Sequence, residues 1–252
     1  MSAAPCPPPM AVPSIAALMR RVSALAQLSP IETLVLEHLA GRQQQHIMRA
    51  ELCAEGEIPK PRIMVSGWAC RQRVMNDGRR QIISFMLPGD TIGPLRQSPL
   101  PESCATVALT PVVTVDAQAL LQAACVEHMQ HPGLSLAVRC MASQQERWLR
   151  DQVVRLGRRS AYERTIHLVL ELHGRLDAIG LAPSRCFAFP LTQDVLADAL
   201  GLSVVHVNRV LAQARRDGLF ELHGGHIVIH QLECMEATAP DPSVHPPRAL
   251  GS

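Results

Sequence analysis

Asn208 and Arg209 are neighbours in the run Ser203-Val-Val-His-Val-Asn-Arg209. An asparagine amide can bond N6 and N7 of adenine, and a guanidinium can bond O6 and N7 of guanine, so this pair has the chemistry to read base edges in a major groove. Val205 adds an isopropyl group suited to a thymine methyl, with His206 beside it. Thr192, Gln193, Ser203 and His223 carry hydroxyl, amide and imidazole groups of the kind that bond phosphate, which sets register without reading sequence.

Such side chains reach base edges only from a rigid rod that fits the groove, and the stretch Pro190 to Leu219 supplies one. Thr192 suits an N-cap, and Val195, Leu196, Ala199 and Leu200 then recur as one apolar helical face. Ala197 is small, as a helix crossed closely by another requires. Gly201 ends that helix where a left-handed residue is needed, and Ser203 caps a second helix with Val207, Val210, Leu211 and Ala214 facing inward. This is the sequence form of a helix-turn-helix, although two ordinary core helices would share the spacing. Phe220 to His223 and Ile227 to His230 alternate around Gly224-Gly225, whose glycines suit a two-residue hairpin. Helix-turn-helix plus hairpin makes a winged helix, with the wing over the sugar-phosphate backbone.

The chain has 252 residues, a formal net charge of +2 and 47% apolar residues. From Arg155 to Glu233 nine arginines face eight acidic residues, so nucleic-acid binding rests on where the charges sit and not on their sum. Lys60 is the single lysine, a bias expected of a GC-rich genome. No apolar run is long enough to span a membrane, the N-terminus lacks signal-peptide organisation, and the eight cysteines are scattered without a CxxC. These features predict reduced thiols and a cytoplasmic location. No P-loop, HExxH, nucleophile triad or paired-carboxylate site stands out, which points away from an enzyme, and nothing calls for a cofactor.

Upstream, Ser29-Pro30-Ile31-Glu32 opens a helix with a capping box, ending near Gly41. Short β-type runs follow at Gln45–Met48, Arg62–Val65, Trp68–Val74, Gln81–Leu87, Cys104–Ala108 and Val112–Val115, with a hairpin signal at Asn76-Asp77-Gly78. Many short strands at this spacing suggest an antiparallel barrel or roll. From Ala117 the period turns helical. Leu134, Val138, Met141, Gln145, Trp148 and Gln152 step by four and three, a spacing that can form a seam between two copies of one helix or pack a helix on its own barrel. Gly157 is a candidate hinge.

Phe85-Met-Leu-Pro-Gly-Asp-Thr-Ile-Gly93, Leu156-Gly-Arg-Arg-Ser-Ala-Tyr-Glu-Arg164 and the helix-turn-helix LTQDVLADALGLSVVHVNRVL occur in that order. With Gly67-Trp-Ala-Cys-Arg71 and Asp77-Gly-Arg-Arg-Gln81, the chain resembles a proteobacterial branch of the Crp/Fnr superfamily of transcription regulators over about residues 20 to 233. The resemblance implies an α+β fold. An antiparallel β-roll, cupin-like and similar to cyclic-nucleotide-binding domains, would span 14–131. A dimerisation helix would follow at 132–157 and a winged helix-turn-helix domain at 158–234, with disordered tails at 1–13 and 235–252. It also implies a homodimer on a palindromic operator in double-stranded DNA, a signal received by the roll, and RNA polymerase as partner if the protein is an activator. A ligand-binding module acting on a protein partner without reading DNA is the alternative.

Cyclic-nucleotide members of that superfamily hold the phosphate with an arginine, where this chain has Ser103. The candidate effector loop here comprises Gly89, Asp90, Gly93, Arg96, Ser103 and Cys104, and the missing arginine argues against a cyclic nucleotide. Cys6 stands alone, so iron–sulfur ligation in the manner of the oxygen sensors is unsupported. Arg209 matches the guanine-reading arginine of many members, whereas Val205 replaces their cytosine-reading glutamate, which predicts a different operator. His223, His226 and His230 are loosely spaced like metal ligands, but their place on a wing favours contact with phosphate or water, so no metal is expected.

Overall fold

The computed structural model describes residues 15–41, 43–93 and 100–240. The expected N-terminal tail, Arg96 and the stretch 241–252 lie outside the described residues. The chain divides into two compact units that part between Glu146 and Arg147.

The first unit opens with helices α1 (Ala16–Leu25) and α2 (Pro30–His38). It continues through strands β1 (Gln43–His46), β2 (Glu51–Cys53), β3 (Arg62–Ser66), β4 (Ala69–Val74), β5 (Arg80–Met86), β6 (Thr91–Ile92), β7 (Ala105–Ala108) and β8 (Val112–Asp116). Two four-stranded sheets, ordered β1-β8-β3-β6 and β2-β7-β4-β5, form the roll. The Asn76-Asp77-Gly78 signal does close the β4–β5 hairpin: Val74 pairs with Arg80, and Gly78 takes φ +82°. Five of the six expected strands are present and the first is shifted, ending at His46 with Ile47 and Met48 outside it, while β2 and β6, only three and two residues long, have no counterpart among the sequence-based expectations.

Leu52, Met64, Ala69, Met86, Ile92, Ala108 and Val112 make one apolar cluster of the roll. A second joins Leu18 and Val22 of α1, Leu36 of α2, and Ile63, Val65 and Val115 from the strands. It also takes in Leu120 of a short helix α3 (Gln118–Leu121) and the start of the long helix α4 (Pro132–Arg158). Glu32 ties two helix starts together. Its carboxylate completes the capping box with Ser29 and also accepts the Leu134 amide at 2.9 Å. Burial alone would raise its pKa, but the bonds from the Ser29, Leu134 and Gly133 amides and the Ser29 hydroxyl hold it below the ordinary value.

The second unit takes α4 from Arg147 onward, then α5 (Ala161–Asp177), β9 (Cys186–Ala188), α6 (Gln193–Leu200), α7 (Val204–Arg216), β10 (Phe220–His223), β11 (His226–Ile229) and α8 (Leu232–Thr238). Ser160 and Glu163 form a capping box that starts α5. The sheet order is β10-β11-β9, so the wing hairpin gains a third strand. The expected loose tail from residue 235 is corrected over its first residues: α8 packs on α5, with Met235 and Ala239 fully buried. Two apolar side chains are too few to give a periodic signal, yet they suffice to anchor one short helix.

Candidate nucleic-acid interface

Each local signal of the helix-turn-helix has its structural counterpart. The Thr192 hydroxyl accepts the Val195 amide at 3.3 Å, which starts α6. Gly201, at φ +63° and ψ +40°, ends it in the left-handed region. The Ser203 hydroxyl accepts the His206 amide at 3.3 Å and starts α7. The two helices bend by 99°, the near-perpendicular crossing of a helix-turn-helix. Leu196, Ala197, Ala199 and Leu200 of α6 and Val207, Val210 and Ala214 of α7 are buried. Ala197 permits the close crossing its size suggested.

Among the residues α7 leaves outside is the stripe Val205, Asn208, Arg209, Ala212, Gln213 and Arg216, all exposed at spacings of three, one, three, one and three. Val205 is 69% exposed, so its isopropyl group is open to a thymine methyl. His206 is half-buried on the flank. Ala212, Gln213 and Arg216 extend the face beyond the four residues singled out in the sequence. Continuing the same three-four spacing for two more turns would have found them. Arg215 and Arg216 place positive charge in the last turn of α7, where the helix dipole favours it.

Thr192, Gln193, Ser203 and His223 are also exposed. The first three sit at the N-termini of α6 and α7, where free amides point outward. His223 closes the wing opposite His226, and Gly224 and Gly225 both take positive φ, as a two-residue hairpin requires. His226 Nδ1 is 3.1 Å from the Gly224 carbonyl, and His230 faces Glu221 at 3.9 Å. Tyr162 donates to Asp217 at 2.6 Å, fixing α5 to the end of α7, and burial with that bond raises the phenol pKa.

The candidate effector loop is built differently. Asp90 is buried, accepts the Leu87 amide at 2.8 Å and forms an ion pair with Arg21 of α1. Arg21 also donates to the Gly89 carbonyl at 3.1 Å. Asp90 therefore fastens the turn to α1. Gly89 and Gly93 take φ +88° and +84° and serve the backbone of that turn. Ser103 is exposed, while the Cys104 thiol is buried, and burial raises its pKa away from a reactive thiolate.

Of the expected dimer seam, four positions are already buried within the single chain. Leu134 and Met141 have no exposed surface and Val138 has 5%, all within the core of the roll. Gln145 donates to Thr91 Oγ1 at 3.0 Å. In the second unit, Trp148 lies under the Arg175 guanidinium at 4.0 Å, and Gln152 is buried and donates to the Ala199 carbonyl at 2.9 Å. Leu134, Val138, Met141 and Gln152 are thus covered by their own chain, while Gln145 and Trp148 remain half-buried. Gly157 lies in the last helical turn, with no break there.

Residues 163–238 match the family model for a Crp-like helix-turn-helix domain. The chain is 32% identical over 177 residues to the transcriptional activator protein FnrL of Cereibacter sphaeroides, a match covering 66% of each chain. It is 26% identical over 205 residues to the transcriptional activatory protein AadR of Rhodopseudomonas palustris, covering 80% of this chain and 82% of that one. The structure of FixK2 from Bradyrhizobium japonicum superposes with a TM-score of 0.68 at 25% identity, over 79% of this chain and 98% of that one. A β-roll, a long helix and a capped helix-turn-helix with a wing, matched in order by these relatives, place the chain in the Crp/Fnr superfamily of DNA-binding transcription regulators.

Proposed function

We propose that the protein acts as a homodimer on a two-fold symmetric operator, with Val205, His206, Asn208 and Arg209 of each copy reading base edges. Thr192, Gln193, Ser203 and His223 hold the flanking phosphates. The observation that carries this is the outer face of α7: it is rigidly capped at Ser203, bent away from α6, and exposes Val205, Asn208 and Arg209 together. Two such helices related by a two-fold axis would enter successive major grooves about 34 Å apart.

The pairing surface we assign is the outward face of α4. Ala142, Glu146, Leu149 and Val153 are exposed and step by four, three and four. Leu149 and Val153 are 40% and 71% exposed in the single chain, which a partner helix would relieve. The relatives named as activators extend the proposal to RNA polymerase as a further partner. The signal enters through the roll, and the loss of the phosphate-holding arginine at Ser103 favours an effector other than a cyclic nucleotide.

Selection from a pool of random duplexes tests this reading. The expected winner is an inverted repeat whose half-sites lie one helical turn apart, bound with an affinity that falls steeply with salt as counterions are released. Enrichment of no duplex, or affinity indifferent to salt, would refute it.

A further inference from the structure

The turn before the recognition helix is pinned from outside the helix pair. The last carbonyls of any helix lack intrahelical partners. In α6 two of these are taken by side chains of other helices: Ala199 by Gln152 Nε2 of α4 at 2.9 Å, and Leu200 by Arg164 Nη1 of α5 at 3.1 Å. Gly201, Leu202 and Ser203 follow at once, then α7. Wherever these carbonyls are held, the start of the recognition helix is held too.

Gln152 is itself locked. Its Oε1 accepts Arg155 Nη1 at 2.6 Å. Arg155 is 2% exposed, and its Nε and Nη2 lie 3.0 and 2.8 Å from His167 Nδ1. Nη2 also forms an ion pair with Glu171. The second Glu171 oxygen accepts Arg175 Nη1 at 2.9 Å, and Arg175 covers Trp148 of α4. Burial would raise the Glu171 pKa, but the two guanidinium charges and their bonds keep it below its ordinary value, so the carboxylate stays charged. Buried ion clusters of this kind add little net stability compared with apolar residues of equal volume. What they do impose is a fixed geometry, here one that carries a single amide to a single carbonyl.

We propose that Gln152, oriented by Arg155, is a positioning residue for DNA binding: it sets the angle at which α7 is presented. This rests on the DNA-binding reading above. The probe is the duplex that the wild-type chain enriches from a random pool. Gln152→Glu keeps an acceptor for Arg155 but cannot donate to Ala199. It is expected to bind that duplex at least tenfold more weakly at a temperature well below its melting transition, with a shallower dependence of log K on log salt because fewer phosphates are met in register. Gln152→Met, which keeps the length and lacks the donor, should behave alike and serves if the first variant fails to fold. A purely structural role would lower the melting temperature while leaving the affinity and salt slope of the folded protein intact. Either folded variant binding with wild-type affinity and slope would overturn the proposal. Failure of the wild-type chain to enrich any duplex would instead sink the DNA-binding reading itself.

Discussion

Val153→Ala separates the two faces of the long helix. Val153 is 71% exposed in the single chain and sits on the outward face of α4. Alanine is the better helix former by about 0.5 kcal/mol, so the change should leave the monomer fold intact or slightly firmer. If the outward face is the seam, the substitution removes two methyl groups per copy from it. At about 0.8 kcal/mol for each, scaled by the exposed share and doubled for two copies, the dimer loses about 2 kcal/mol. That corresponds to roughly 30-fold weaker association. Sedimentation equilibrium across a concentration series reads this directly. The control is Leu134→Ala on the inward face, whose side chain is wholly buried in the roll. It should destabilise the fold by about 2–5 kcal/mol, at every protein concentration alike. An unchanged dimer constant for Val153→Ala would refute the assignment of the seam.

Three further outcomes follow from single sites. Arg209→Ala should weaken binding to the selected duplex by about 1–3 kcal/mol and relax the preference for guanine at one position of each half-site, read by competition against all four bases there. Glu32→Gln removes a carboxylate bonded to the Ser29 and Leu134 amides, at a cost of about 1–3 kcal/mol near neutral pH. The Glu32 pKa is depressed in the fold, so its stabilisation is present above the ordinary glutamate value of about 4.3 and is lost as pH falls through the lower folded value. Melting curves of wild type and variant should therefore converge in acid, and a constant gap down to low pH would contradict this. Gly67→Ala should cost more than about 2 kcal/mol, because φ is +90° and a Cβ there would lie 2.3 Å from the Pro111 carbonyl oxygen; a wild-type melting temperature would disprove it.

The DNA-binding unit was legible because its signals are local. Thr192, Gly201 and Ser203 act on amides and dihedrals within three residues of themselves, so their roles need no knowledge of the remaining fold. The Gly224-Gly225 turn is legible for the same reason. Strands β6 and β9 are not, since two or three residues carry no alternation and their extended form is imposed by pairing with β3 and β11. Asp90 reads as a loop acid in sequence because its partner, Arg21, is 69 residues away on a helix with no sequence mark of the contact.

The inward seam of α4 shows a deeper ambiguity. A four-three spacing specifies that one stripe is covered and says nothing about by what. The polar members of that stripe hold the discriminating information. A glutamine at a seam between identical helices must find its partner in its own symmetry mate, whereas Gln145 and Gln152 each meet a particular group of their own chain, the Thr91 hydroxyl and the Ala199 carbonyl. Two glutamines spaced seven apart within an apolar stripe are thus better read as two separate docking points than as a repeated register. They fall on opposite sides of the boundary at Glu146 and Arg147, one serving each unit. The outward face carries Arg139, Glu146 and Arg150 among its exposed residues. It therefore lacks the unbroken apolar stripe that draws attention in a sequence, although it is the face proposed above to pair.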